Sequence, residues 1–132
     1  MRKLFTLAMM MVFAFALNAQ VIFEDNFESY GVGDYVAENS DVWTTWSNAP
    51  GGAEDAVVSD AFAHSPTKSM HISGTNDMVL PMGNKTSGKY NVNFYIYVEN
   101  DGNSEGYYNL QHYEAPGTEW AVEVYFNLDA TG

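Results

Sequence analysis

Cysteine is absent from this 132-residue sequence, and basic residues are scarce, with five Lys and Arg against 17 Asp and Glu and a formal net charge of −12. The lack of cysteine excludes disulfide bridges, a cysteine nucleophile and the lipid attachment site of a lipoprotein. The shortage of basic residues makes nucleic acid and anionic membranes unfavourable partners, because an acidic surface repels phosphate groups. Neutral glycans and divalent cations remain compatible with this charge.

Long amphipathic helices are also missing. Beyond the N-terminus no stretch carries apolar residues at helical spacing for more than a turn or two, whereas short alternating runs separated by Gly, Pro, Asn and Asp recur. The sequence contains neither a Gly-x-Ser-x-Gly elbow nor a glycine-rich phosphate loop. It therefore predicts an all-β fold and gives no motif for the common enzyme classes.

The first 19 residues have the features of a secretory signal peptide. Arg2 and Lys3 precede an apolar stretch at residues 4–17, and Ala19 ends a suitable cleavage site. An uncleaved anchor is the alternative, but about 14 apolar residues are fewer than the roughly 20 that span a bilayer. Cleavage removes 19 residues and two of the five basic ones, which leaves 113 residues and a net charge of −14. We expect a protein exported to the medium or cell surface, with no membrane contact after cleavage and with residues 20–132 forming one domain.

Strands are predicted along the whole mature chain. Short runs lie at residues 21–23, 41–47, 56–59, 69–73 and 77–82. Longer runs lie at 90–99, 107–113 and 120–127, the last ending in Asn127, and in each of them apolar residues alternate with tyrosines, amides and carboxylates. Since successive side chains of a strand point to opposite faces, these runs predict a sheet with one apolar face and one polar, aromatic face.

The polar, aromatic face is the predicted ligand surface. Exposed aromatic rings stack on the apolar C–H face of a sugar, and amide side chains both donate to and accept from hydroxyl groups. The residues expected to bind a polysaccharide or cell-surface glycan are Tyr95, Tyr97, Asn109, Gln111, Glu123 and Tyr125. The alternative is the ordinary solvent side of an antiparallel sheet, where strand propensity alone favours tyrosine.

Two glutamates raise an enzymatic alternative. Glu119 and Glu123 lie four residues apart, and paired carboxylates are the groups that glycoside hydrolases use. A regular strand separates such positions by about 13 Å, so the carboxyl separation of about 5 Å in a retaining site requires a bulge or converging side chains. Two solvent-facing glutamates are the simpler interpretation. A structural spacer domain with no ligand is the third class of function.

Acidic residues in two loops are candidate calcium ligands. Asp25 and Glu28 follow the first predicted strand, and Glu54 and Asp55 lie in a glycine-rich loop. Calcium takes oxygen ligands and is compatible with an extracellular domain that has no disulfides. The alternative is that these carboxylates cap turns.

The chain ends in a turn soon after its longest predicted strands. Sandwiches and barrels often need about 200 to 250 residues as one domain, well above the length of the mature chain. We therefore expect a sandwich that is truncated at its C-terminus, with further strands and other domains of a longer chain beyond Gly132. A stop codon directly after Gly132 contradicts this expectation.

Three stretches resemble a known family: Phe-Glu-Asp-Asn-Phe-Glu-Ser-Tyr at residues 23–30, the turn at 63–65 leading into 69–72, and the run at 107–126. Together they resemble the concanavalin A-like lectin/glucanase (LamG-like) domains of secreted bacterial proteins. The resemblance implies a jelly roll, an antiparallel two-sheet sandwich whose concave face binds glycans, often with calcium near its edge.

Hydrolytic members of that family carry a strand of the form Glu-x-Asp-x-(x)-Glu. Glu119 and Glu123 match the outer carboxylates, but Ala121 stands where the aspartate is expected. The middle acid tunes the protonation of its neighbours, so its replacement disfavours hydrolysis. The resemblance thus implies glycan recognition without catalysis.

Overall fold

The computed structural model describes residues 20–64, 66–99, 104–113 and 115–126. Within these ranges the regular elements are β1 (Thr44–Thr45), β2 (Val57–Ser59), β3 (Ser69–His71), β4 (Met78–Val79), β5 (Gly106–Gln111) and β6 (Trp120–Phe126). The described ranges contain no helix, and therefore none of the length and apolarity needed to cross a membrane. The all-β prediction is confirmed, while the predicted signal peptide and Asn127 lie outside the described residues.

The six strands form three antiparallel pairs, β1 with β4, β2 with β3, and β5 with β6. The β2–β3 pair runs from Val57 opposite His71 to Ser59 opposite Ser69. The chain at residues 33–36 lies along the other edge of β2, where Val36 N–H donates to the Ala56 carbonyl (2.9 Å). Backbone hydrogen bonds therefore flank β2 on both edges, with β3 on one side and the non-strand segment 33–36 on the other.

A small core lies beneath β2. Its fully buried side chains are Val36, Ala37, Thr45, Asp55, Ala56 and Val58. The two polar members are satisfied: Thr45 Oγ1 accepts from the Ala49 N–H (2.9 Å), and Asp55 accepts from three backbone N–H groups. Polar groups can be buried at this position because each meets donors from neighbouring loops.

The prediction of a strand at residues 90–99 is wrong, as is that of a strand at 21–23, because neither segment has strand structure. The side-chain alternation of the first segment nevertheless persists. Phe94 packs edge-on against Tyr108 (centroids 4.7 Å apart), and Val98 lies beside Gly106. Alternation in a sequence reports which faces side chains take, but a strand also requires a hydrogen-bonded partner ladder. Here the segment lies along β5 through side-chain contacts.

Candidate functional site

A β-bulge determines which residues share a face of the β5–β6 hairpin. Leu110 pairs with Val122 but Gln111 pairs with Trp120, so Ala121 is the extra residue of the bulge. Residues opposite one another in an antiparallel pair share a face, and an inserted residue shifts all the residues before it to the other face. We call the resulting surface the Tyr face, and its residues are Tyr107, Asn109, Gln111, Trp120, Glu123 and Tyr125.

Two pairs of aromatic rings lie at opposite ends of the Tyr face. Tyr107 and Tyr125 are cross-strand partners whose rings stack with centroids 5.5 Å apart, and each is about half exposed. Trp120 stacks on Trp46, with centroids 6.2 Å apart, and is 45% exposed. Gln111, the partner of Trp120, lies four positions after Tyr107, which places the Cα positions of the two pairs roughly 13 Å apart along the strand. This spacing exceeds the width of a single six-membered ring, so one small ring could not contact both pairs at once.

Polar groups occupy the space between the aromatic pairs. Asn109 lies opposite Glu123, whose carboxylate accepts the Tyr125 hydroxyl (3.1 Å). The Gln111 amide donates to Asn109 Oδ1 (3.1 Å) and its oxygen accepts from the Gly117 N–H (2.8 Å). The Gln111 side chain thus fixes the turn before β6, while Asn109 and Glu123 are the polar groups centred between the two ring pairs.

The electrostatics of the Tyr face are negative. Burial raises the pKa of Tyr107, and the charges of Asp77 and Glu123 raise it further. The hydrogen bond to Glu123 raises the pKa of Tyr125. Burial also raises the pKa of Asp77, with the charge of Glu54 adding to the effect. Both tyrosine hydroxyls therefore stay protonated at neutral pH, and the negative charge resides on carboxylates.

Tyr95 and Tyr97 have a different environment from the one predicted. The Tyr95 ring stacks on His64 and the Tyr97 ring packs on Phe62, so both contact the loop between β2 and β3. They remain 75% and 65% exposed. Their neighbours Phe94 and Val98 point to the opposite side, towards β5 residues on the apolar face. Both tyrosines are accessible to a ligand, but the stacked pair on the hairpin is Tyr107 with Tyr125.

The hairpin register separates Glu119 from Glu123. Glu119 carbonyl accepts the His112 N–H (3.0 Å), and Glu119 Oε1 lies 3.3 Å from His112 Nδ1. His112 and Asn109 are three residues apart and so lie on opposite faces, and their partners Glu119 and Glu123 do the same. Two carboxylates that flank one sugar bond must share a face. The geometry therefore gives no support to the hydrolytic alternative.

Asp25 is bonded to groups of the protein. Its carboxylate accepts the Phe27 N–H (2.8 Å), the Tyr30 hydroxyl (3.0 Å) and Trp43 Nε1–H (2.9 Å). Phe27 adopts a positive φ of 62°, which is rare for a bulky residue, and its ring packs against Trp43. Asp25 thus holds a strained turn against an aromatic cluster, as the turn-capping alternative expects.

The other candidate calcium ligands are likewise bonded to protein donors. Glu28 accepts from Thr67 and Lys68, Glu54 accepts from the N–H and hydroxyl of Ser47 (both 2.7 Å), and Asp55 is buried. Asp25 also lines an open depression of about 500 Å³. In the part of the chain that the structure describes, no three His, Asp or Glu residues are grouped to hold a metal ion.

The bonds of Glu28 predict a pH dependence of stability. The Thr67 N–H (2.9 Å), the Thr67 hydroxyl (2.9 Å) and the Lys68 N–H (2.7 Å) stabilise its carboxylate, and the first of these contributes most to lowering its pKa. A pKa that folding lowers gives stability that is present above the unfolded value of about 4.3 and is lost as pH falls through the folded value.

We therefore expect Glu28→Gln to lower the urea midpoint at pH 7 and to reduce the loss of stability between pH 7 and about pH 3, measured by tryptophan fluorescence. Glu105→Gln, at an exposed position, is the control and should leave the pH curve unchanged. Parallel curves for the wild type and Glu28→Gln would contradict the role of this carboxylate.

The sequence missed the tryptophans of the site. Regular alternation assigns Trp120 to the apolar face, and only the bulge at Ala121 brings it to the Tyr face. Trp46 directly follows β1 and is far from Trp120 in the sequence. Gly117 was the one available signal, since a Cβ at this position would lie 3.0 Å from Trp46 Cζ2 and its φ is +79°. This glycine just before β6 thus marks the close approach of the backbone to the Trp46 ring.

Comparison with known proteins identified no relative. No family model matches the chain, and neither a curated protein nor a solved structure is similar to it. The geometry of the Tyr face is therefore the basis for a functional proposal.

Proposed function

We propose that this protein is an exported glycan-binding module without catalysis, and that its ligand lies along the Tyr face. The observation that carries the proposal is the pair of aromatic platforms, Tyr107 with Tyr125 and Trp120 with Trp46, on either side of Asn109. Exposed rings stack on sugar C–H faces, and the intervening amide binds hydroxyl groups. A polysaccharide or cell-surface glycan is the class of ligand that fits this arrangement.

The separation of Glu119 and Glu123 onto opposite faces of the hairpin supports binding over hydrolysis by this pair. Glu123 lies on the Tyr face and Glu119 on the other, where His112 contacts it. The Tyr125 hydroxyl holds the Glu123 carboxylate beside the ring pair (3.1 Å). We therefore assign Glu123 a role in binding, and the glycan dissociates without chemical change.

The jelly-roll sandwich is part of the same proposal. The apolar side of the segment along β5 and of β6 remains about half exposed at Val92, Phe94, Ile96 and Val122. An apolar sheet face of this kind is the inner layer of a sandwich in which a second sheet covers it. The three antiparallel pairs supply strands of the required type.

Export by the N-terminal segment completes the proposal. The basic residues Arg2 and Lys3, the apolar stretch at 4–17 and Ala19 support it. Determining the N-terminal residue of the protein recovered outside the cytoplasm tests it, and Gln20 is the expected first residue. An intact Met1 on the exported protein would contradict cleavage.

A glycan array followed by titration of the best oligosaccharide tests the binding function. We expect Tyr125→Ala and Trp120→Ala each to weaken binding about tenfold or more, because each removes a ring from one platform. Tyr113→Ala is the matched control: this tyrosine is equally exposed, but it stacks on His112 beyond the end of β5. No binding on the array, or equal loss with Tyr113→Ala, would refute the proposed site.

A further inference from the structure

The charge on the Tyr face narrows the class of glycan. Glu123 lies at the centre of the face, and its carboxylate accepts the Tyr125 hydroxyl (3.1 Å). The charge of Asp77, like that of Glu123, raises the pKa of Tyr107, so Asp77 also contributes negative potential near the Tyr face. Both tyrosines are uncharged at neutral pH. The face therefore combines aromatic rings with unneutralised negative charge.

Protein cations do not neutralise Glu123 in the described part of the chain. The lysines and arginines in the described ranges are Lys68, Lys85 and Lys89. The Lys68 ammonium donates to the backbone carbonyls of Glu28 and Tyr30. Among the described residues, the close contact between a basic side chain and a side-chain carboxylate is that of His112 Nδ1 with Glu119 Oε1 (3.3 Å), on the other face. Glu123 is thus available as a counter-ion for a ligand.

Aromatic rings next to a carboxylate form a site for an ammonium group. A cation is attracted to the face of a tyrosine ring, and a carboxylate gives it a charge-assisted hydrogen bond. The net charge of −12 also raises the local concentration of cationic ligands and lowers that of anionic ones. Neutral sugars use only the rings and amides of such a face, and uronic acids are repelled.

We propose that the Tyr face selects glycans that carry protonated amines, such as polymers of 2-amino-2-deoxyhexose, with Glu123 as the counter-ion. This inference rests on the proposed glycan-binding function and adds the chemical class of the sugar. Two exposed ring platforms roughly 13 Å apart on one sheet face favour a linear oligosaccharide over a basic peptide, which would more readily add to a strand edge.

The test compares hexasaccharides that differ in one substituent: glucosamine, N-acetylglucosamine and glucose hexamers with the same β-1,4 linkage. Calorimetric titration of the full chain at mildly acidic pH, where the amines are protonated, should give at least about tenfold tighter binding of the glucosamine hexamer. Added salt should reduce this preference, because it screens the attraction between exposed charges.

Glu123→Gln should reduce the preference for the glucosamine hexamer over the glucose hexamer to within about twofold, because the amide carries no charge to pair with the amines. Glu119→Gln is the matched control, since it removes the same charge from the same strand region on the opposite face. Its preference should equal that of the wild type, and an equal loss would show that only net charge matters and would overturn the inference.

Three further outcomes overturn the inference in distinguishable ways. Equal binding of all three hexamers, with sensitivity to Tyr125→Ala, removes the charge selectivity and leaves the proposed function standing. No binding of any hexamer in this assay or on the array removes both. Tight binding of a lysine hexapeptide that depends on Glu123 identifies a general cation site in place of a sugar site.

Discussion

Replacing Asp55 by alanine is expected to lower the free energy of unfolding by about 3–5 kcal/mol. Its Oδ1 accepts from the Ala37 N–H (2.9 Å), and its Oδ2 accepts from the N–H groups of Glu38 (3.0 Å) and Gly51 (2.9 Å). Hydrogen bonds to a charged group contribute about 1.5–3 kcal/mol each, and partial rehydration of the exposed donors reduces the sum. Since small domains are stable by only about 5–15 kcal/mol, this one change removes much of the stability.

Asp55→Asn gives a sharper measure of the same interaction. The amide keeps the volume and one acceptor oxygen, but its NH₂ group must face a backbone N–H, so we expect a loss of about 2–3 kcal/mol. Asp60→Ala, at an exposed position in the next loop, is the control and should change the free energy by less than about 0.5 kcal/mol. Urea unfolding followed by tryptophan fluorescence measures all three. An Asp55→Ala variant as stable as Asp60→Ala would show that the carboxylate does not organise the core.

The part of the fold that the sequence predicted well is the part that depends on local pattern. The strands at Val57–Ser59, Ser69–His71 and Trp120–Phe126 lie within their predicted runs, because β-branched and aromatic alternation between turn residues is a local property. The role of Asp55 was not predicted. Its three donors come from residues 4 to 18 positions away, and a carboxylate in a glycine-rich loop looks the same whether it is buried or solvated.

The candidate site was predicted in composition but not in geometry. Asn109, Glu123 and Tyr125 share a face, as the alternation predicts. The pairing of the two strands is regular from Gly106 opposite Phe126 to Leu110 opposite Val122, so no extra residue disturbs the alternation there. Trp120 was assigned to the wrong face, since a single extra residue reverses the alternation beyond it. Bulges depend on the pairing of both strands, which the pattern of one strand does not specify.

The face that Trp120 occupies depends on the single unpaired residue Ala121, so a change that removes the bulge should have a large effect on binding. Inserting one alanine between Leu110 and Gln111 gives Ala121 a partner in β5 and makes the pairing regular, so Trp120 moves to the apolar face and Glu119 to the Tyr face. We expect the variant to lose the stacking of Trp120 on Trp46 and to bind glycans at least about tenfold more weakly, because one of the two platforms is gone. Near-ultraviolet circular dichroism, which reports coupled tryptophans, and titration with an oligosaccharide measure the two effects.

Ala121→Ser is the control, because it changes a side chain at the bulge but keeps the number of residues in both strands and therefore the bulge itself. It should retain both the tryptophan signal and the affinity. A third variant, Trp120→Ala, separates platform loss from misfolding: it should show the same loss of signal and affinity as the insertion while the strand register stays intact. If the insertion variant retains the paired-tryptophan signal, the register has adjusted elsewhere and the bulge does not determine the site. If it loses the signal but keeps its affinity, the ligand lies away from Trp120, and the Tyr107 and Tyr125 pair alone must account for binding.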